Sequence, residues 1–163
     1  MAVNKELAQK TFDEWRKGAR IRSIAHQRAG DFYGSWAKTL GVLVATFSAI
    51  VGASIFTSLL TSKDQPILIV VGLISLSAAV ISGTNSFLNL PQLAAKHTEV
   101  GLAFGEVRRR IDVIDCLECD DATTEKNLTE IETAYNKALK DAPTFPARFY
   151  DKAEKKVEAV EHK

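Results

Sequence analysis

The residues best placed to do chemistry fall on one helical stripe: Ser75, Ala79, Ser82, Ser86 and Asn89, spaced three and four apart. That spacing puts them on a single helix face, which Gly72 extends by one step. The face is small and polar, and it lies in a stretch with no charge between Asp64 and Lys96. Two uses fit it. Small residues let membrane helices approach closely while hydroxyls and amides bond across the contact. The same groups can wall a water-filled pore when several such helices assemble, with Lys63 and Asp64 at one mouth and Lys38 and Lys96 near the other.

A second group consists of His26, His97, Arg22 and Phe104, all on stripes that are otherwise largely apolar. Two imidazoles on packed seams fit a switch driven by pH or a ligand, since the ring titrates at about 6.5. They fit equally a hydrogen-bonded pair that only fixes the packing. Arg108, Arg109 and Arg110 form a cationic run whose readings are a charge cluster at the surface or between subunits, or contact with anionic lipid or a nucleotide. Cys116 and Cys119 make one C-x-x-C pair, which lacks the second ligand pair of a zinc site, so no metal and no cofactor is expected. No Gly-rich phosphate loop, G-x-S-x-G or H-E-x-x-H is present, and no catalytic role is expected.

The elements that must position these residues are written in the distribution of charge. The net charge of +1 in 163 residues suggests no nucleic-acid partner, and a mean hydropathy of −0.04 resembles that of a water-soluble protein. The average hides two runs, Lys38 to Lys63 and Asp64 to Lys96, with no charge between their ends. Both exceed the roughly 20 apolar residues needed to cross a bilayer. The reading is an all-α membrane protein. Residues 1–38 form an N-terminal helix, 39–60 and 67–90 two transmembrane helices joined by a turn at 61–66, 91–118 a stalk helix, and 119–163 two shorter C-terminal helices. Lys and Arg number eight before the first span, one in the turn and twelve after the second. That bias puts both ends in the cytoplasm. Phe32, Tyr33 and Trp36 fit an interfacial anchor ahead of the first span.

The soluble parts are periodic. Ala8, Phe12, Trp15, Ala19, Arg22, His26 and Ala29 repeat at helical spacing, as do Leu93, His97, Val100, Phe104, Val107, Ile111 and Ile114. Pro91 predicts a kink at the changeover. Folding about the turn pairs residues whose numbers sum to about 127. This antiparallel stalk sets Asp31 opposite Lys96, Arg28 opposite Glu99, Arg22 near Glu106, Arg16 near Asp112 and Lys10 near Glu118, and brings His26 within about a turn of His97. Arg20 meets Arg108, so either the register drifts there or the pair points outward or holds something anionic. Leu128, Ile131, Tyr135 and Ala138 mark one further helix; Tyr150, Ala153, Val157 and Val160 mark the last, with Pro143 and Pro146 between them.

Several segments, in this order, resemble the SLATT family. They are His26-Gln-Arg-Ala-Gly-Asp-Phe-Tyr33 with Leu40-Gly-Val-Leu-Val44; Phe87-Leu-Asn-Leu-Pro91 through Lys96-His97 to Phe104-Gly-Glu-Val-Arg-Arg-Arg-Ile111; and Ala142-Pro-Thr-Phe-Pro146 with Tyr150-Asp-Lys-Ala153. SLATT proteins are bacterial two-transmembrane effectors named for their association with nucleotide-making SMODS enzymes and nucleotide-sensing SLOG domains. The resemblance implies an inner-membrane homo-oligomer that opens a pore when a partner senses infection, so that the infected cell depolarises and dies or stops growing. It favours the pore reading of the Ser75–Asn89 stripe. His26 and His97 match characteristic positions of the family, without a role attached to them. With no sensor domain in this sequence, a separate nucleotide-sensing or nucleotide-making protein is the expected source of the signal, or the stalk itself responds. The alternative is a non-conducting membrane anchor that recruits cytoplasmic partners.

Overall fold

The computed structural model describes residues 5–60, 65–115 and 121–161. Lys63, Asp64, Cys116, Glu118, Cys119 and His162 lie outside them. Among the described residues there are five helical segments and no strand: α1 (Lys5–Leu60), α2 (Gln65–Leu88), α3 (Leu90–Asp115), α4 (Asp121–Asp141) and α5 (Ala147–Glu161). α1 runs 56 residues because nothing in it forbids a helix; it contains no proline. α4 and α5 are separated by a short segment holding both Pro143 and Pro146.

The expected kink at Pro91 lies two residues earlier. Asn89 has φ of +45° and divides α2 from α3. Asparagine is among the few residues that tolerate the left-handed region, and one such residue just past a helix end is a common terminator. Its side-chain amide donates to Gln92 Oε1. Pro91 falls in the first turn of α3, where a missing N–H costs little.

Two compact units follow: residues 1–31 with 93–163, and residues 32–92. The first is a helical bundle with two apolar clusters. In the larger, Phe12 and Ala19 of α1 meet Val100, Phe104, Val107 and Ile111 of α3 and Ile131 and Ala138 of α4. In the smaller, Ile21 and Ala25 of α1 meet Ala153 and Val157 of α5. The N-terminal half of α1 therefore buries two adjacent faces, one for each cluster. Val160, expected on the α5 seam, is exposed. α1 and α3 approach closely through small residues. A Cβ on Gly101 would stand 3.2 Å from the backbone of Ser23 and of Gln27, and one on Gly30 would stand 3.1 Å from the carbonyl oxygen of Ala94.

The second unit holds the C-terminal half of α1 and all of α2. Both helices are long and apolar enough to cross a membrane; none of the first helix's apolar window and 6% of the second's is buried. A core helix of a water-soluble protein would be mostly covered. Here Val42, Leu73, Leu76, Val80 and Phe87 stand exposed instead. Contiguous apolar surface of this kind belongs in lipid, where a helix satisfies its own backbone. Ala78, buried, marks where α2 meets α1. A shallow groove there of about 420 Å³ is lined by Val44, Ser48 and Gly52 of α1 and by Ser75, Ala79 and Ser82 of α2. Those lining residues fit the hairpin register read from the sequence.

Candidate functional site

The membrane hairpin sorts its hydroxyls into two sets. Thr46, Ser54, Ser77 and Thr84 each donate to the carbonyl four residues back, at 2.8 to 2.9 Å. That bond hides a hydroxyl within its own helix. Ser48, Ser75, Ser82 and Ser86 make no such bond; their hydroxyls have no hydrogen-bond partner among the described residues. An unsatisfied hydroxyl surrounded by hydrocarbon costs roughly 1–3 kcal/mol on protein scales. Three of these four serines, Ser48, Ser75 and Ser82, line the groove between α1 and α2 with Ala79. Ser86 is exposed further along α2, and Asn89 sits at the helix break. The three serines of the stripe thus keep their bonding capacity for water or another chain, whereas the Asn89 amide is engaged by Gln92. The back-bonded set points to the signal that sequence spacing missed: among the described residues of α2, Ser77 and Thr84 off the stripe are satisfied locally, while Ser75, Ser82 and Ser86 on it are not.

In the bundle, His26 and His97 come together. Their Nδ1 atoms lie 2.9 Å apart, with both rings nearly fully buried. Only one of the two nitrogens can carry the bridging proton, so the neutral pair needs complementary tautomers. Burial, then His97, then the Arg22 charge lower the His26 pKa to about 4. Burial also lowers that of His97. Phe104 stacks on His26 at 5.9 Å, and Phe145 packs edge-on against His26 at 4.7 Å and against His97 at 5.8 Å. Phe145 lies in the proline-flanked connection before α5, and sequence reasoning gave it no role. An aromatic residue held between Pro143 and Pro146 was the available signal.

Arg22 departs from its expected partner. Instead of Glu106 it reaches Tyr135 on α4, donating to the phenolic oxygen at 2.8 Å with its guanidinium 5.7 Å from the ring centre. Burial raises the Tyr135 pKa, and the Arg22 charge and hydrogen bond act in the opposite direction. Glu106 is taken by Arg110 on its own helix at 2.6 Å, and Lys96 likewise by Glu99 at 3.4 Å. Arg28 and Asp31 make no ion pair among the described residues. Arg16 does meet Asp112, at 3.1 Å, and Asp115 as well. Partners three or four residues away on one helix compete well with partners across a helix pair.

These features define a class: a two-span α-helical membrane protein with a separate helical bundle. The chain belongs to the SMODS and SLOG-associating 2TM effector domain family 4, whose family model matches residues 23–163. The match covers both spans, α3, α4 and α5. Neither a curated protein nor a solved structure shows significant similarity to the chain.

Proposed function

We propose that the protein is an oligomeric pore-forming effector that permeabilises the bacterial inner membrane in antiphage defence, by abortive infection. The observation that carries this reading is the set of unsatisfied hydroxyls on the Ser75–Asn89 face, among apolar residues that face outward. One hairpin cannot enclose a lumen. Several hairpins, each turning this face inward, give Ser75, Ala79, Ser82, Ser86 and Asn89 a wall of water. Gly41 and Gly52 on α1, and Gly72 and Gly83 on α2, have open space where a side chain would stand. They leave room for neighbouring copies to pack closely.

Both ends lie on the cytoplasmic side in this reading, because Lys and Arg crowd the flanks and not the turn. A cytoplasmic signal, supplied by a separate nucleotide-sensing or nucleotide-making protein, acts on the bundle. α1 contributes residues to both units, so repacking around its seam residues Arg22 and His26 against His97 and Phe104 is transmitted along one helix. Moving a two-state pore from 1:99 to 99:1 takes about 5.5 kcal/mol of preferential binding to the open state. No catalysis is assigned to the chain.

The experiment is conductance of the purified protein in planar bilayers, wild type beside Ser82→Leu and Asn89→Leu. Discrete currents that either substitution alters support the reading. Silence of the wild type, with oligomers intact and with cytoplasmic partners from its genomic neighbourhood added, leaves the membrane-anchored scaffold in its place.

A further inference from the structure

The bundle carries a cationic cleft that the pore reading does not use. It measures about 290 Å³ and lies between α1 and α3, with Arg20, Arg108 and Arg109 at its walls and Gln27 and Gly105 beside them. Every charged residue lining it is an arginine. Arg108 is partly neutralised by Asp112 at 3.3 Å. Arg20 and Arg109 make no ion pair within 4.0 Å among the described residues. Glu106 and Asp112, the acids three residues either side of Arg109, are held by Arg110 at 2.6 Å and by Arg108 at 3.3 Å, although the Arg109 charge is still felt at Glu106.

Three guanidinium groups at one cleft repel each other, and the close approach of α1 and α3 enforces the arrangement. Ser23 donates to the Gly101 carbonyl oxygen at 2.7 Å, and a Cβ on Gly105 would stand 3.3 Å from Ser23 Oγ. The helices therefore cannot spread without losing that contact. Arginine presents a planar fork of donors that matches phosphate oxygens two at a time. Arg20 and Arg109, neither of them in an ion pair within 4.0 Å among the described residues, leave the cleft net positive, which suits a dianionic phosphate group.

We propose that the Arg20–Arg108–Arg109 cleft binds an anion bearing a dianionic phosphate group. Such a group can arrive on a soluble phosphate compound or on a lipid headgroup. Binding of inorganic pyrophosphate to the full-length protein in phosphatidylcholine nanodiscs, by calorimetry at constant ionic strength, tests the soluble source. Retention of phosphatidic acid over phosphatidylcholine through purification tests the lipid source.

The expected result is saturable binding of at least one probe. The double variant Arg20→Gln/Arg109→Gln weakens that binding at least tenfold. Lys155→Gln, which removes a positive charge from an exposed residue of α5 outside the cleft, changes it less than twofold. Leu102→Glu, which puts a carboxylate on an exposed residue of the cleft wall, abolishes binding without touching the arginines. The inference is overturned if the wild type binds neither probe. It is overturned equally if Lys155→Gln weakens binding as much as the double variant, since that is the behaviour of diffuse charge. Conductance is not the readout, so failure here leaves the pore reading standing.

Discussion

The Nδ1 atoms of His26 and His97 lie 2.9 Å apart, on α1 and α3, where Phe104 and Phe145 enclose the rings. Two imidazolium rings cannot share that contact, because both nitrogens would then carry hydrogen. Arg22, a cation held by Tyr135, adds to the penalty for protonating His26.

Acid should therefore loosen the bundle. Unfolded His26 takes up a proton near its ordinary pKa of 6.5, whereas the folded residue resists until about 4. The unfolded chain binds more protons across that window, so stability is fully present above pH 6.5 and falls as pH drops toward 4. The loss from His26 alone is roughly 2–3 kcal/mol, with His97 adding in the same direction. Thermal unfolding followed by circular dichroism at pH 7.5, 6, 5 and 4.5 should show Tm falling steadily, and a steeper profile than in His26→Leu/His97→Leu. A Tm that is flat or rises with acid contradicts the buried pair.

The two histidines should act as one unit. His26→Ala and His97→Ala each cost roughly 1–3 kcal/mol, because each leaves the other ring buried without its partner. The double variant should cost at least 0.5 kcal/mol less than the sum, the usual mark of residues in contact. Additive losses in denaturant titrations would mean that the rings do not interact.

Tyr135→Phe removes the hydroxyl that accepts from Arg22 but keeps the ring stacked on Trp15 at 6.1 Å. A loss of about 1 kcal/mol is expected for one hydrogen bond to a half-exposed charge. Unfolding measured beside Tyr150→Phe, whose residue lies on the other apolar cluster, checks whether the loss is specific to this contact.

Much of this fold was legible in the order of charges and in helical periodicity. The two uncharged runs fall in the two helices that are long and apolar enough to cross a membrane, and the stripes through Phe12 and Phe104 located the larger seam. The hairpin register brought His26 near His97 and Arg16 to Asp112. Charge matching overreached at Arg22 because it considered only the α1–α3 pair, whereas Tyr135 arrives from α4, whose docking face no register rule fixes. The helix break was placed at Pro91 because proline is the strongest breaker in sequence. The backbone turns instead at Asn89, where the left-handed conformation is tolerated. Phe145 was missed because a residue in a short connection carries no periodicity. Within the spans, spacing showed which serines share a face, but only the geometry of each hydroxyl separated Ser77 from Ser75 and Ser82.

Glycines should divide by unit. Gly101→Ala gains helix propensity of about 1 kcal/mol, yet its Cβ would press on backbone atoms of α1 at 3.2 Å. We expect a net loss of roughly 1–3 kcal/mol from overpacking. Gly41→Ala meets nothing within 4 Å in the chain and should leave bundle unfolding unchanged. If copies pack on that face, sedimentation in detergent should show a smaller assembly for Gly41→Leu.

The claim that the stripe faces water is tested most directly by single cysteines in a background with Cys116 and Cys119 replaced by serine. Ser75→Cys, Ser82→Cys and Ser77→Cys would each be placed in planar bilayers and exposed to a charged, water-soluble methanethiosulfonate reagent during current recording. Ser75 and Ser82 line the groove, and Ser77 bonds back to Leu73 within α2. Current that falls sharply at positions 75 and 82 and not at 77 is the predicted result. Block at 77 with 75 and 82 unaffected would contradict it and put the lumen on another face of α2.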